Sequence, residues 1–152
     1  MKNLENKRLY IAYGSNLHLE QMKHRCPTAK VVGKGVIEDY ELLFRQDVTS
    51  AVATVEPLKN SKVPVLIWEI QQSDEDSLDI YEGYPDVYRK ENIKVNVNGE
   101  EIEGMIYLMN EKEIGIPSDK YLKTIEEGYK TAGFDLNILM EAFLKCKELT
   151  EK

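Results

Sequence analysis

From residue 31 to residue 108 the chain strings together one strand-like segment after another, mostly with short connections, and this restricts the fold more than any other feature. Val31 to Ile37, Glu41 to Arg45, Ala51 to Val55 and Val63 to Ile70 are rich in Val, Ile, Leu and aromatic side chains, which fit a pleated, half-buried surface. A further strand runs from about Tyr88 to Val97. Asn98-Gly99 then marks a hairpin, since both residue types tolerate the positive φ of a two-residue turn. The return strand, about Ile102 to Leu108, sets Ile102, Gly104, Ile106 and Leu108 on one face.

Helical patterns flank and interrupt these strands. Leu9 to Tyr13 reads as a short buried strand, broken by Gly14-Ser15-Asn16. Ser15 or Asn16 is suited to cap a helix carrying Leu19, Met22 and Cys26 and stopped by Pro27. A short helix is predicted from Ser73 to Tyr81, with Ser73 as cap and Asp74, Glu75 and Asp76 in its first turn. Near the end, Ser118 caps a helix with Tyr121, Ile125 and Tyr129 four apart, and Gly133 stops it. A last helix aligns Leu136, Leu139, Phe143 and Cys146. The pattern predicts an α+β fold with a mixed, strongly curved or closed, barrel-like sheet and flanking helices. With 152 residues and neither repeat nor Gly/Ser linker, one domain over 1–152 is the simplest organisation.

Composition narrows the function. At 42% hydrophobic and 31% charged residues the chain is globular rather than disordered. Its net charge of −7 repels phosphate backbones, so no nucleic-acid partner is expected. No apolar run can span a bilayer, which predicts no membrane partner and a cytoplasmic location. Cys26 and Cys146 form no C-x-x-C pair, so they read as buried free thiols and no metal site is expected.

Two segments stand out chemically. Tyr13-Gly14-Ser15-Asn16-Leu17 ends a strand at a glycine and leaves backbone N–H groups free to meet a carbonyl or carboxylate oxygen. The same residues also serve as ordinary turn punctuation. Glu82 sits among Ile80, Tyr81, Tyr84 and Val87, and a carboxylate in apolar company has a raised pKa suited to proton transfer. The plainer possibility is that Glu82 closes a helix or pairs with Arg89. Asp79 and Asp86 read as solvated, and His18 and His24 as surface residues without partners. Trp68 reads as core; Tyr121 is equally suited to core packing and to lining a cleft.

The ordered set of motifs resembles the γ-glutamylcyclotransferase-like family. Tyr13-Gly14-Ser15-Asn16-Leu17, Met22 with Arg25-Cys26-Pro27, Ala53-Thr54-Val55, Leu78-Asp79-Ile80-Tyr81-Glu82-Gly83, Tyr88, and Pro117-Ser118-x-x-Tyr121-Leu122-x-x-Ile125-x-x-Gly128 follow its order over about residues 8 to 140. The resemblance implies a barrel-like core wrapped by helices and a cleft in which the 13–17 loop faces Glu82. It implies Glu82 as the acid–base, Tyr13, Gly14, Ser15, Asn16 and Leu17 as the substrate loop, and Tyr88 and Tyr121 as further lining residues. The implied activity converts a γ-glutamyl amide or γ-glutamyl amino acid to 5-oxoproline and a free amine, with no cofactor. Glu82-Gly83-Tyr84-Pro85-x-x-Tyr88 is similar to the branch acting on γ-glutamylamines, whereas Tyr13 to Leu17 is nearer the branch acting on γ-glutamyl amino acids. The leaving amine therefore stays open, as does the oligomeric state, a homodimer included. Transfer or trimming of a γ-glutamyl group, and non-catalytic binding of one, are the competing functions.

Overall fold

In the computed structural model, which describes residues 7–46 and 50–151, a five-stranded sheet closes on itself as a barrel with helices against its outside. The strands are β1 (Lys7–Ala12), β2 (Lys30–Gln46), β3 (Ala51–Gln71), β4 (Tyr88–Val97) and β5 (Glu100–Met109), in the spatial order β1-β3-β2-β4-β5. The β1–β3, β3–β2, β2–β4 and β4–β5 pairs are antiparallel, and a parallel pairing at Tyr10 and Met105 closes β5 onto β1. The helices are α1 (Leu19–Arg25), α2 (Gln72–Glu82), α3 (Asp119–Ala132) and α4 (Leu136–Thr150). The expected α+β architecture with a closed mixed sheet is what the chain adopts. Among the described residues, no helix is long and apolar enough to cross a membrane.

The four strands expected between residues 31 and 70 are two long ones. β2 continues through Asp39, at φ 61°, and β3 through Asn60, at φ 71°. Both bend at this level, where the register shifts between Glu38 and Tyr40 and Asp39 Oδ1 accepts the Asn60 N–H at 2.9 Å. A bulge of this kind bends a strand pair without ending it, and so helps a sheet curl. The Asn98-Gly99 hairpin forms as predicted, with both residues at positive φ. β5, expected to bury one face, is buried on both from Gly104 to Met109, because closure turns one face inward while other elements cover the second.

Capping differs from the sequence reading at two helices. α1 is capped by His18, whose Nδ1 accepts the Gln21 N–H at 3.3 Å and whose Nε2 lies 2.8 Å from Glu127, so His18 is not without partners. Ser15 and Asn16 instead form a single 3-10 turn, Ser15–Leu17. At α2, Ser73 lies inside the first turn. The cap is made by buried Asp74, which accepts the Gln71 N–H at 3.0 Å and the Thr28 hydroxyl. Ser118 and Gly133 bound α3 as predicted. Trp68 and both free cysteines are buried.

Candidate active site

Strand β1 runs out of the barrel at Ala12, and the chain turns over the barrel end through Tyr13 and Gly14 into the 3-10 turn. Within that turn the Leu17 N–H donates to Gly14 O and the His18 N–H to Ser15 O, each at 3.0 Å. The amides of Gly14, Ser15 and Asn16 have no described partner and remain free for a ligand. Opposite them, α2 ends at Glu82, followed by Gly83 in the left-handed conformation (φ 68°) that closes the helix. The turn and the helix end face each other across a cavity of about 220 Å³. Tyr13, Gly14, Ser15 and Asn16 from the turn and Tyr81 and Glu82 from the helix end line it together. Val52, Ala53, Tyr10, Tyr88, Tyr107 and Tyr121 complete the wall.

The hydroxyls of this wall are held in place by backbone and side-chain partners. Tyr88 Oη donates to Ala53 O, while Tyr121 Oη accepts the Ala53 N–H at 3.0 Å, so the two hydroxyls clasp one residue of β3. Gly14 lies against the same residue: a Cβ there would sit 3.2 Å from Ala53 Cβ. Tyr13 Oη donates to Tyr107 O at 2.7 Å. Asn16 Nδ2 donates to Tyr10 Oη at 2.8 Å, and Ser15 Oγ and the Tyr81 hydroxyl lie 3.2 Å apart. Tyr10 and Tyr121 thus accept hydrogen bonds from the protein and keep their own protons free to point into the cavity.

Behind the wall, Asp79 is not solvated as expected. It accepts the Tyr107 hydroxyl at 2.6 Å and pairs with Lys90 at 3.0 Å, and Lys90 also bonds Glu75 at 2.7 Å. Arg8 reaches the same Glu75 carboxylate at 3.2 Å. Tyr107 is therefore fixed at its hydroxyl by α2, while its ring meets Tyr10 edge-on, centroids 5.8 Å apart.

Glu82 has no hydrogen-bond partner among the described residues. Arg89 bonds Glu91 at 2.7 Å instead, so the simple Glu82–Arg89 pair considered from sequence does not form. Burial pushes the Glu82 carboxyl up to about 8, with nearby Arg25 pulling partly against it. The negative end of α2 acts in the same direction as burial. Burial, with the neighbouring Glu82 charge, raises Tyr10, Tyr13, Tyr88, Tyr107 and Tyr121 above the ordinary tyrosine range. Glu82 is left as the lining group able to exchange a proton near neutrality.

Leu17 corrects the predicted substrate loop. It is fully buried, is not among the cavity-lining residues, and packs against Gly128 of α3, which anchors the turn. Tyr10, Tyr107, Tyr81, Val52 and Ala53 line the cavity without having been singled out as site residues. Ala53 carried a signal, in the small residue of Ala53-Thr54-Val55.

A family profile described as "Gamma-glutamyl cyclotransferase, AIG2-like" matches residues 10–129. The chain belongs to this family. It is 34% identical over 141 residues to the gamma-glutamylcyclotransferase of Homo sapiens, covering 87% of this chain and 75% of the human one. The Mus musculus enzyme of the same name is 34% identical over 134 residues, covering 82% and 71%. A solved gamma-glutamyl cyclotransferase structure superposes with a TM-score of 0.82 at 30% identity, covering 90% of this chain and 86% of that one. A yeast cyclotransferase described as specific to glutathione shares the fold alone, with a TM-score of 0.69 at 13% identity, covering 93% of this chain and 97% of that one. The protein is accordingly an enzyme of the cyclotransferase class.

Proposed function

We propose that the cavity holds a γ-glutamyl group and that Glu82 carries the proton as the substrate closes on itself to 5-oxoproline. The observation that supports this most is the pairing of one proton-exchanging carboxyl with unpaired amides around a small, partly enclosed cavity. The α-amino group attacks the γ-carbonyl, forming the C–N bond of a five-membered lactam, and the amide C–N bond to the leaving amine breaks. Glu82 takes a proton from the attacking nitrogen and returns one to the departing amine. Protein nucleophiles are unnecessary because the substrate supplies its own. Holding amine and carbonyl in one conformer accounts for much of the acceleration. The Gly14, Ser15 and Asn16 amides and the Tyr10 and Tyr121 hydroxyls are the donors for the substrate carboxylate and for the oxygen that gains charge.

The test is a panel of γ-glutamyl dipeptides, γ-glutamyl-ε-lysine and glutathione, with 5-oxoproline measured by mass spectrometry. Stoichiometric 5-oxoproline from at least one compound is expected. Free glutamate or a new γ-glutamyl amide in its place would replace cyclisation by trimming or transfer.

A pH profile follows from the same assignment. The reacting complex carries one proton between Glu82 and the α-amino group. With Glu82 pushed up to about 8 and a free α-amino group at about 7.7–8.0, kcat/KM peaks near pH 8 and falls on both sides. At pH 6 it should be below about a tenth of its pH 8 value. A flat profile from pH 5 to 8 would remove Glu82 from the proton path.

A further inference from the structure

Arg25, at the end of α1, is a half-buried cation for which no carboxylate partner occurs among the described residues. Its Nη1 donates to Asn16 Oδ1 at 2.5 Å, its Nη2 donates to Gln21 Oε1 at 2.6 Å, and its guanidinium carbon lies over the Tyr81 ring, 3.6 Å from the centroid. All three partners are neutral. Acidic side chains are abundant in a chain of net charge −7, and arginines withdrawn from water usually keep a carboxylate. Five N–H donors are fixed on this group, of which the protein uses one on each terminal nitrogen. The guanidinium is thus preorganised, keeps unused donors, and feels the charge of nearby Glu82 without being bonded to any carboxylate of the described residues.

Its place decides which anion. Asn16 and Tyr81, the two residues it joins, both line the cavity. Tyr81 is 43% exposed, whereas the other lining residues are buried or half-buried. Ile80 and Tyr84 beside it are exposed as well, so the cavity opens at the last turn of α2. Arg25 lies just outside the lining, stacked on Tyr81 at this opening, where the leaving amine would emerge if a γ-glutamyl group lodges among the inner donors.

We propose that Arg25 is a specificity-determining residue that reads a carboxylate on the leaving amine, selecting γ-glutamyl compounds of amino acids over those of uncharged amines. The proposal rests on the γ-glutamyl reading of the cavity. Bidentate guanidinium–carboxylate contact is directional as well as charged, which suits discrimination between a carboxylate and its neutral isostere. The positive charge also disfavours leaving amines that present a second cation, such as one with a free ammonium at the mouth.

A matched pair isolates the effect: γ-glutamyl-alanine and γ-glutamyl-alaninamide differ only in the carboxylate. The wild-type protein should favour the acid about 10–100-fold in kcat/KM. In Arg25→Gln the ratio should collapse towards one, chiefly through KM for the acid. Arg25→Lys, with the charge but not the fork, should keep an intermediate ratio. The ratio is the readout, because any disturbance of Asn16 lowers both substrates together. Equal wild-type efficiency on acid and amide overturns the proposal without any variant having to fold. A ratio unchanged in Arg25→Gln overturns it too and leaves Arg25 as a brace between the turn and Tyr81. Both outcomes leave cyclisation standing, whereas no 5-oxoproline from any γ-glutamyl compound defeats the proposed function and this inference with it.

Discussion

Glu82→Gln should lower kcat by about 10²–10⁴-fold, the usual contribution of a positioned general acid–base, while the protein remains folded. Glutamine preserves the shape of the side chain and cannot exchange a proton. The five lining tyrosines with raised pKa values stay protonated at working pH and offer no substitute base. KM should change far less than kcat, because the substrate donors lie on the facing turn and on tyrosines. Single-turnover assays for 5-oxoproline, with circular dichroism to verify the fold, measure this directly. Wild-type turnover by Glu82→Gln would end the assignment.

The same substitution has a signature in stability. The folded-state carboxyl sits at about 8, against a model-peptide value of 4.5. Between these values the folded state binds the extra proton, so stability is highest below the unfolded pKa and falls as pH rises through the folded one. The glutamine variant lacks this slope. Its melting temperature should exceed that of the wild type at pH 8, and the difference should shrink on acidification towards pH 4.5. A loss of turnover joined to a gain in stability is what a functional buried acid gives, and a merely structural one does not.

Much of this site was readable in the chain because its key residues lie where local structure changes. Gly14-Ser15-Asn16 breaks a strand, and Glu82-Gly83 ends a helix; both breaks follow from local rules, and they coincide with the two walls of the cavity. Tyr10, Tyr107 and Arg25 were not readable as parts of one site. Tyr10 and Tyr107 are 97 residues apart and come together because β5 closes onto β1 in parallel. A barrel closure of that kind leaves no mark on the periodicity of either strand. Arg25 belongs to the Met22, Arg25-Cys26-Pro27 stretch of the family resemblance with no role attached to it, and its position over Tyr81 exists once α1 and α2 are packed. The long β2 and β3 were divided for a similar reason. The gaps between the expected segments hold Asp39 and Asn60, whose positive φ is compatible with continuous strands at the register shift where the two residues meet.

Gly128→Ala should damage both stability and turnover, although alanine is the better helix former by about 1 kcal/mol. A Cβ at position 128 would lie 2.7 Å from Leu17 Cβ, 2.9 Å from its carbonyl carbon and 3.0 Å from its oxygen. Two of these atoms are backbone, so no side-chain rotation relieves the contact, and overpacking of this type costs about 1–3 kcal/mol. That exceeds or offsets the helical gain and should lower the melting temperature by up to several degrees. The larger effect falls on the reaction. Leu17 anchors the turn whose preceding amides face the cavity, and a shift of about 1 Å in a positioning element can cost 10²-fold. We expect kcat/KM to fall about 10–100-fold in protein that is still folded at the assay temperature. Gly133→Ala is the control on the same helix. Its φ of 78° strains any L side chain, but a Cβ there meets nothing within 4 Å. It should lose about 1 kcal/mol of stability and keep its turnover. Equal retention of activity in both variants would show that α3 supports the barrel without setting the position of the turn.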